Sequence, residues 1–107
     1  LLTATQTALE KDDLVVARET FEKIPKSTRK NENVLKMEEQ LTSAIDSRVA
    51  ELLVKGDRQY RADKVSEAIG TWSQAQAIDP DNSEVIERLE RASKVLARLE
   101  ELKSRQK

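Results

Sequence analysis

The chain has 107 residues, 19 of them basic and 20 acidic, with no histidine and no cysteine. That balance leaves no basic surplus to neutralise a phosphate backbone, so nucleic acid is disfavoured, and the missing cysteines exclude disulfides and zinc–thiolate sites. The length fits one small domain, and with 36% charged residues, 3% aromatic residues, two glycines and two prolines the composition favours helix over sheet.

Residues 1–11 place Leu1, Leu2, Thr5, Ala8 and Leu9 on one face, at the three- and four-residue steps of an amphipathic helix. Asp12 and Asp13 interrupt that pattern and offer a cap for the next helix. That second helix, over residues 14–24, carries Leu14, Ala17, Phe21 and Ile24. Pro25 stops it, because proline has no amide hydrogen and clashes with the preceding turn. The polar stretch from Lys26 to Asn33 reads as a loop.

From Val34 the helical spacing resumes through Met37, Leu41, Ile45, Val49, Leu52, Gly56 and Tyr60, to about Ala62. One glycine and no proline predict a single helix, roughly 40 Å long at about 1.5 Å per residue. The alternative is a break at Asp46-Ser47, with Ser47 as an N-cap. The next helix, over residues 64–77, turns Val65, Ala68, Ile69, Trp72, Ala75 and Ile78 inward. Asp79-Pro80-Asp81-Asn82 makes a turn, and Asp81 followed by Glu84 has capping-box spacing. The last helix runs from about Asn82 to Lys103 with the stripe Val85, Leu89, Ala92, Leu96, Leu99 and Leu102. Its other face carries acid-before-base pairs four apart, Glu84/Arg88, Glu87/Arg91, Glu90/Lys94 and Glu101/Arg105, the order that suits a solvated helix. No apolar run approaches the roughly 20 residues that cross a bilayer. No signal peptide is present, and the chain opens at Leu1 without a methionine, as expected of a piece trimmed from a longer protein.

Two segments echo each other. Ala17, Phe21 and Ile24 have the spacing of Ala68, Trp72 and Ala75, 51 positions later. A small residue followed four later by a bulky aromatic lets two helices approach closely and interlock, and internal similarity of this kind marks helical-repeat proteins. The second copy, from Val49 through Gly56, Tyr60, Ala68, Trp72 and Ala75 to Pro80, resembles a tetratricopeptide repeat (TPR), and the irregular repeat together with the tail from Leu99 to Lys107 resembles bacterial members of that family. The resemblance implies that Gly56 permits close helix packing, that Ala68 sits at the tightest crossing, that Trp72 fills the gap between repeats and that Pro80 ends the second helix. Lys55 departs from the family's usual leucine before the glycine, and in the first copy Thr5 holds the glycine position. The offset of 51 also exceeds the family's period of about 34.

The expected fold is an all-α, irregular TPR-like helical repeat of about five antiparallel helices, with one long central helix. Residues 1–30 form a degenerate repeat, 49–82 a clear one and 83–107 a capping helix, within a single domain over 1–107. No enzyme motif is legible: there is no Gly-rich phosphate loop, no serine elbow and no histidine. Asp79, Asp81, Ser83 and Glu90 fall at calcium-loop positions, but Glu84 stands where that loop requires glycine. No cofactor or metal is expected. By position, the resemblance implies a peptide-binding face at Leu53, Asp57, Tyr60 and Arg61, with Ala50 beside them. The alternative is that Leu53 and Tyr60 pack beneath the N-terminal helices. The family's carboxylate clamp is absent, since Leu2, Gln6 and Val54 occupy its positions. The expected function is therefore a scaffold binding a protein or peptide, with no nucleic acid and no membrane insertion. The alternative is a structural module that makes a homodimer through the apolar stripes of its long and last helices.

Overall fold

A computed structural model of the chain describes residues 1–105; the last two positions of the expected capping helix 83–107 lie outside the described residues. Among the described residues there are five α-helices and no strand. They are α1 (Leu2–Glu10), α2 (Leu14–Glu22), α3 (Glu32–Arg61), α4 (Val65–Ile78) and α5 (Ser83–Arg105), with a short 3-10 turn at Lys26–Thr28. α3 is unbroken, and Asp46 and Ser47, the alternative break point, lie exposed within it. The chain divides into two compact units, Leu1–Arg48 and Val49–Lys107.

In the first unit, α1 ends in a tight turn. The Asp13 amide reaches back to the Ala8 carbonyl at 2.9 Å and the Asp12 amide to Leu9 at 3.0 Å. Such a turn needs a left-handed residue, and Asp12 supplies it at φ 58°. The Asp12 carboxylate pairs with Arg48, and the Asp13 side chain caps α2 by accepting from the Val16 amide at 3.3 Å. Ala17, wholly buried, gives the close approach of α2. Ala8, Phe21, Ile24, Val34, Met37 and Leu41 complete the core, each large side chain contributing about 1.5–3 kcal/mol by leaving water. The Arg29 guanidinium lies 5.5 Å over the Phe21 ring, a cation–π lid. Thr5 is also fully buried, and its hydroxyl bonds the Leu1 carbonyl at 2.9 Å and the Thr20 hydroxyl at 3.0 Å, which satisfies a polar group in the core. α2 ends at Glu22, three residues before Pro25. α3 starts two residues earlier than Val34, because the Asn31 carbonyl accepts from Leu35 at 2.9 Å and its side chain from the Asn33 amide at 2.8 Å.

The second unit repeats this plan. α3 ends in the same turn, with Asp63 at φ 65° and the Lys64 amide bonded to the Gln59 carbonyl at 2.9 Å. Ala68 and Ala75 are fully buried, and Trp72 is nearly so. The Thr71 hydroxyl donates to the Gln59 side chain at 2.6 Å, tying α4 to α3. α5 is capped by Asn82, whose side chain accepts from the Val85 amide at 3.2 Å. This corrects the expected cap at Asp81: the helix starts at Ser83, so Asn82 stands three residues before the Val85 amide and Asp81 one residue too early.

The correspondence is one of register. Asp12 and Asp63, Ala17 and Ala68, Thr20 and Thr71, Phe21 and Trp72, Asn31 and Asn82, and Val34 and Val85 all stand 51 positions apart. The first residues of α3 and α5, Glu32 and Ser83, do too. Each unit is therefore three helices, and α3 supplies the third helix of the first unit and the first helix of the second. That shared helix accounts for an offset longer than a helix pair requires.

Candidate functional site

At the end of α3, Asp57, Tyr60 and Arg61 fall on one face by their three- and four-residue spacing. They form one wall of an open groove of about 390 Å³ within the second unit. The opposite wall is α5, through Glu87, Arg88 and Arg91, and Trp72 of α4 lies at the floor.

The two walls are joined by one ion pair. Arg88 Nε donates to Asp57 Oδ1 at 2.8 Å and Nη2 to Asp57 Oδ2 at 3.2 Å, the two-point geometry that a planar guanidinium makes with a carboxylate. Arg88 Nη1 also donates to the Glu84 carbonyl at 3.2 Å. The Asp57 hydrogen bond raises the Arg88 pKa above its ordinary value, partly opposed by burial, with further raising from the charges of Asp57, Glu84 and Glu87. The sequence placed Arg88 with Glu84 on a solvated face; that carboxylate stands 3.9 Å away, and the shorter, two-point contact with Asp57 prevails.

The floor is aromatic. The Tyr60 and Trp72 rings are tilted by 39° with centroids 5.8 Å apart, a favourable arrangement for two π-systems. Trp72 seats directly on Gly56: a Cβ there would meet the indole Nε1 at 2.2 Å. The indole N–H is buried and makes no hydrogen bond. Arg61 and Arg91 are exposed at the rim, and among the described residues neither makes an ion pair.

Of the sequence-predicted residues, the structure brings Asp57, Tyr60 and Arg61 together in this groove, over Trp72, with Gly56 beneath the indole. Leu53 is half-buried and is not among the groove's lining residues. Ala50 lies with Val54 and Lys55 on a separate shallow surface of α3. Ala68 and Ala75 are core, and Pro80 is exposed in the α4–α5 turn. The groove residues that sequence reasoning missed are Glu87, Arg88 and Arg91, whose four-residue acid–base spacing reads as a solvated stripe. The signal that finds them is the register, because the first unit has an equivalent groove of about 510 Å³. Gln6, Glu10, Lys36, Met37 and Gln40 line it, 51 positions before Asp57, Arg61, Glu87, Arg88 and Arg91 respectively.

Among the described residues no group of histidine, cysteine or acidic side chains is placed to hold a metal ion, and no helix is long and apolar enough to cross a membrane. No family model, curated protein or solved structure matches the chain.

Proposed function

We propose that this chain is a non-catalytic, protein-binding scaffold of the tetratricopeptide kind, which seats a segment of a partner protein in the groove of its second unit. The observation that carries the reading is the groove itself. Its aromatic floor and its Asp57–Arg88 wall are already fixed, so few side chains need ordering when a partner arrives. Tyrosine, tryptophan and arginine are also the side chains that most often dominate binding energy at protein interfaces. What supports the tetratricopeptide part is the wholly buried alanine one turn before a large buried aromatic in both units, and Gly56 beneath Trp72. The departures at Lys55 and Thr5 and the 51-residue offset make it an irregular member.

Panning a displayed random-peptide library against the immobilised chain tests this. Selected peptides are expected to share a motif and to lose binding to a Tyr60→Ala variant whose melting shows it folded, while Leu35→Ala, at an exposed residue of the first unit, leaves binding intact. Failure of the library to converge, or equal loss with both variants, sinks the reading.

One observation favours self-association instead. Leu99 and Leu102, 42% and 43% exposed, form an apolar pair near the end of α5, and an uncovered helical stripe is a seam for a second helix. Light scattering decides: a dimer that persists on dilution and is lost in Leu99→Asp supports that second reading.

A further inference from the structure

The two equivalent grooves provide an internal control on charge. At the position of Arg61 in the second unit the first has Glu10, at Arg91 it has Gln40, and at Glu87 it has Lys36. The same three-helix plan forms around both sets, so the fold does not require these side chains. Part of Arg61 has a structural account, since a cation in the last turn of α3 complements the helix dipole. Glu10 in the last turn of α1 runs against that preference, which shows that the dipole does not dictate the position. Arg91 lies in the interior of α5 and has no such account. Asp57 is satisfied by Arg88. The charges left to meet a ligand in the second groove are therefore Arg61 and Arg91 against Glu87.

We infer that the groove of the second unit selects an acidic segment of its partner protein, and that Arg61 and Arg91 set that preference. This rests on the docking reading above and adds the partner's chemistry. An acidic side chain laid over the Tyr60–Trp72 floor meets two guanidiniums that make no ion pair among the described residues, against the single carboxylate of Glu87, whereas a basic one meets a net positive rim. Rim charges of this kind act on selectivity and association rate more than on total affinity, and salt screens them.

The test uses three labelled peptide pools in fluorescence polarisation: Asp and Glu interspersed with Leu and Phe, the same with Lys and Arg, and the same with Asn and Gln. The acidic pool is expected to bind the intact chain about tenfold more tightly than the basic pool, the effect of two weak exposed ion pairs acting together. The preference is expected to fall as salt rises and to vanish in Arg61→Glu/Arg91→Gln, where both substitutions are at exposed positions and leave the core intact. An acidic preference that survives that variant, or equal binding of all pools that Tyr60→Ala still abolishes, overturns the inference while the docking reading stands. Inorganic polyphosphate that competes as strongly as the acidic pool also overturns it, because the site is then an indiscriminate anion patch. If no pool binds, both readings fall.

Discussion

The two units place the same helices in the same register around different aromatic residues. In the first, Phe21 and Thr5 hold the register positions that Trp72 and Gly56 hold in the second. Thr5 is buried and its hydroxyl is bonded, whereas Gly56 has no side chain and the indole fills the space a Cβ would need. In the second unit the two positions divide one volume, because the indole leaves no room for a side chain at Gly56. The exchange leaves the second unit with a buried, unbonded indole N–H, a cost of about 1–3 kcal/mol. The larger ring offsets it through added burial and the tilted contact with Tyr60. It also gives the second groove an aromatic floor, with Tyr60 in the place of Leu9.

The largest expected effect comes from forcing the first unit's residue into the second. Gly56→Thr brings atoms into a gap where even a Cβ would lie 2.2 Å from Nε1 and 2.6 Å from Cδ1, and the Trp72 ring is too enclosed to swing aside. We expect a loss of about 3 kcal/mol, the upper end of overpacking penalties, read by urea unfolding. Adding Trp72→Phe recreates the first unit's combination and should return part of that loss as a coupling energy. Gly70, in the same unit, is the control: nothing lies within 4 Å of its added Cβ, so Gly70→Ala should stabilise by about 0.5–1 kcal/mol through helix propensity alone. If Gly56→Thr is as harmless as Gly70→Ala, the shared-volume account is wrong.

Much of this was legible in the sequence, and the reasons are local. Ala17, Phe21, Ala68 and Trp72 announce themselves because helical spacing and residue size are written along the chain. The continuity of α3 is legible because no proline or cap interrupts it. The groove was half legible: Asp57, Tyr60 and Arg61 share a face that periodicity predicts, but the opposing wall comes from α5, 31 residues beyond Asp57 at the Arg88 pair. Nothing local in Glu84-x-x-x-Arg88 says that the arginine prefers a distant aspartate, since either carboxylate suits it and only packing decides the distance. The cap of α5 was misplaced for a similar reason. Asp81 and Asn82 are both good caps, and one residue of helix phase separates them.

An intermediate effect is expected where the units differ across the groove. The first unit has Gln6 and Met37 at the places of Asp57 and Arg88, so its walls stand without an ion pair. Arg88→Met imports that solution, keeping side-chain volume while removing the charge. Because the pair is partly exposed, at 28% for Arg88 and 37% for Asp57, the loss should be about 0.5–1 kcal/mol, reduced by added salt. The raised Arg88 pKa fixes the sign of its pH dependence. A cation stabilised in the fold contributes fully below its ordinary pKa and loses that contribution only as pH rises through the raised value. Between neutral and moderately alkaline pH the difference between parent and Arg88→Met should therefore stay flat. A difference that shrinks steeply in that interval would point to a titrating partner other than the guanidinium.

The smallest effect compares the two left-handed turns. Asp12 and Asp63 hold φ of 58° and 65° with the same backbone bonds, a conformation that glycine adopts without the Cβ strain of other residues. Glycine also frees the unfolded chain, and that entropy takes back part of the gain. Asp63→Gly should therefore stabilise the second unit by about 0.5 kcal/mol. Asp12→Gly relieves the same strain but also removes the carboxylate that pairs with Arg48, an interaction worth about 0.2–1 kcal/mol at a surface, so its net effect should lie near zero. The useful quantity is the difference between the two substitutions in melting temperature. If they stabilise equally, the Asp12–Arg48 pair contributes nothing and the two turns are energetically the same; if Asp12→Gly destabilises outright, that pair helps to hold the α1–α2 turn against the long helix.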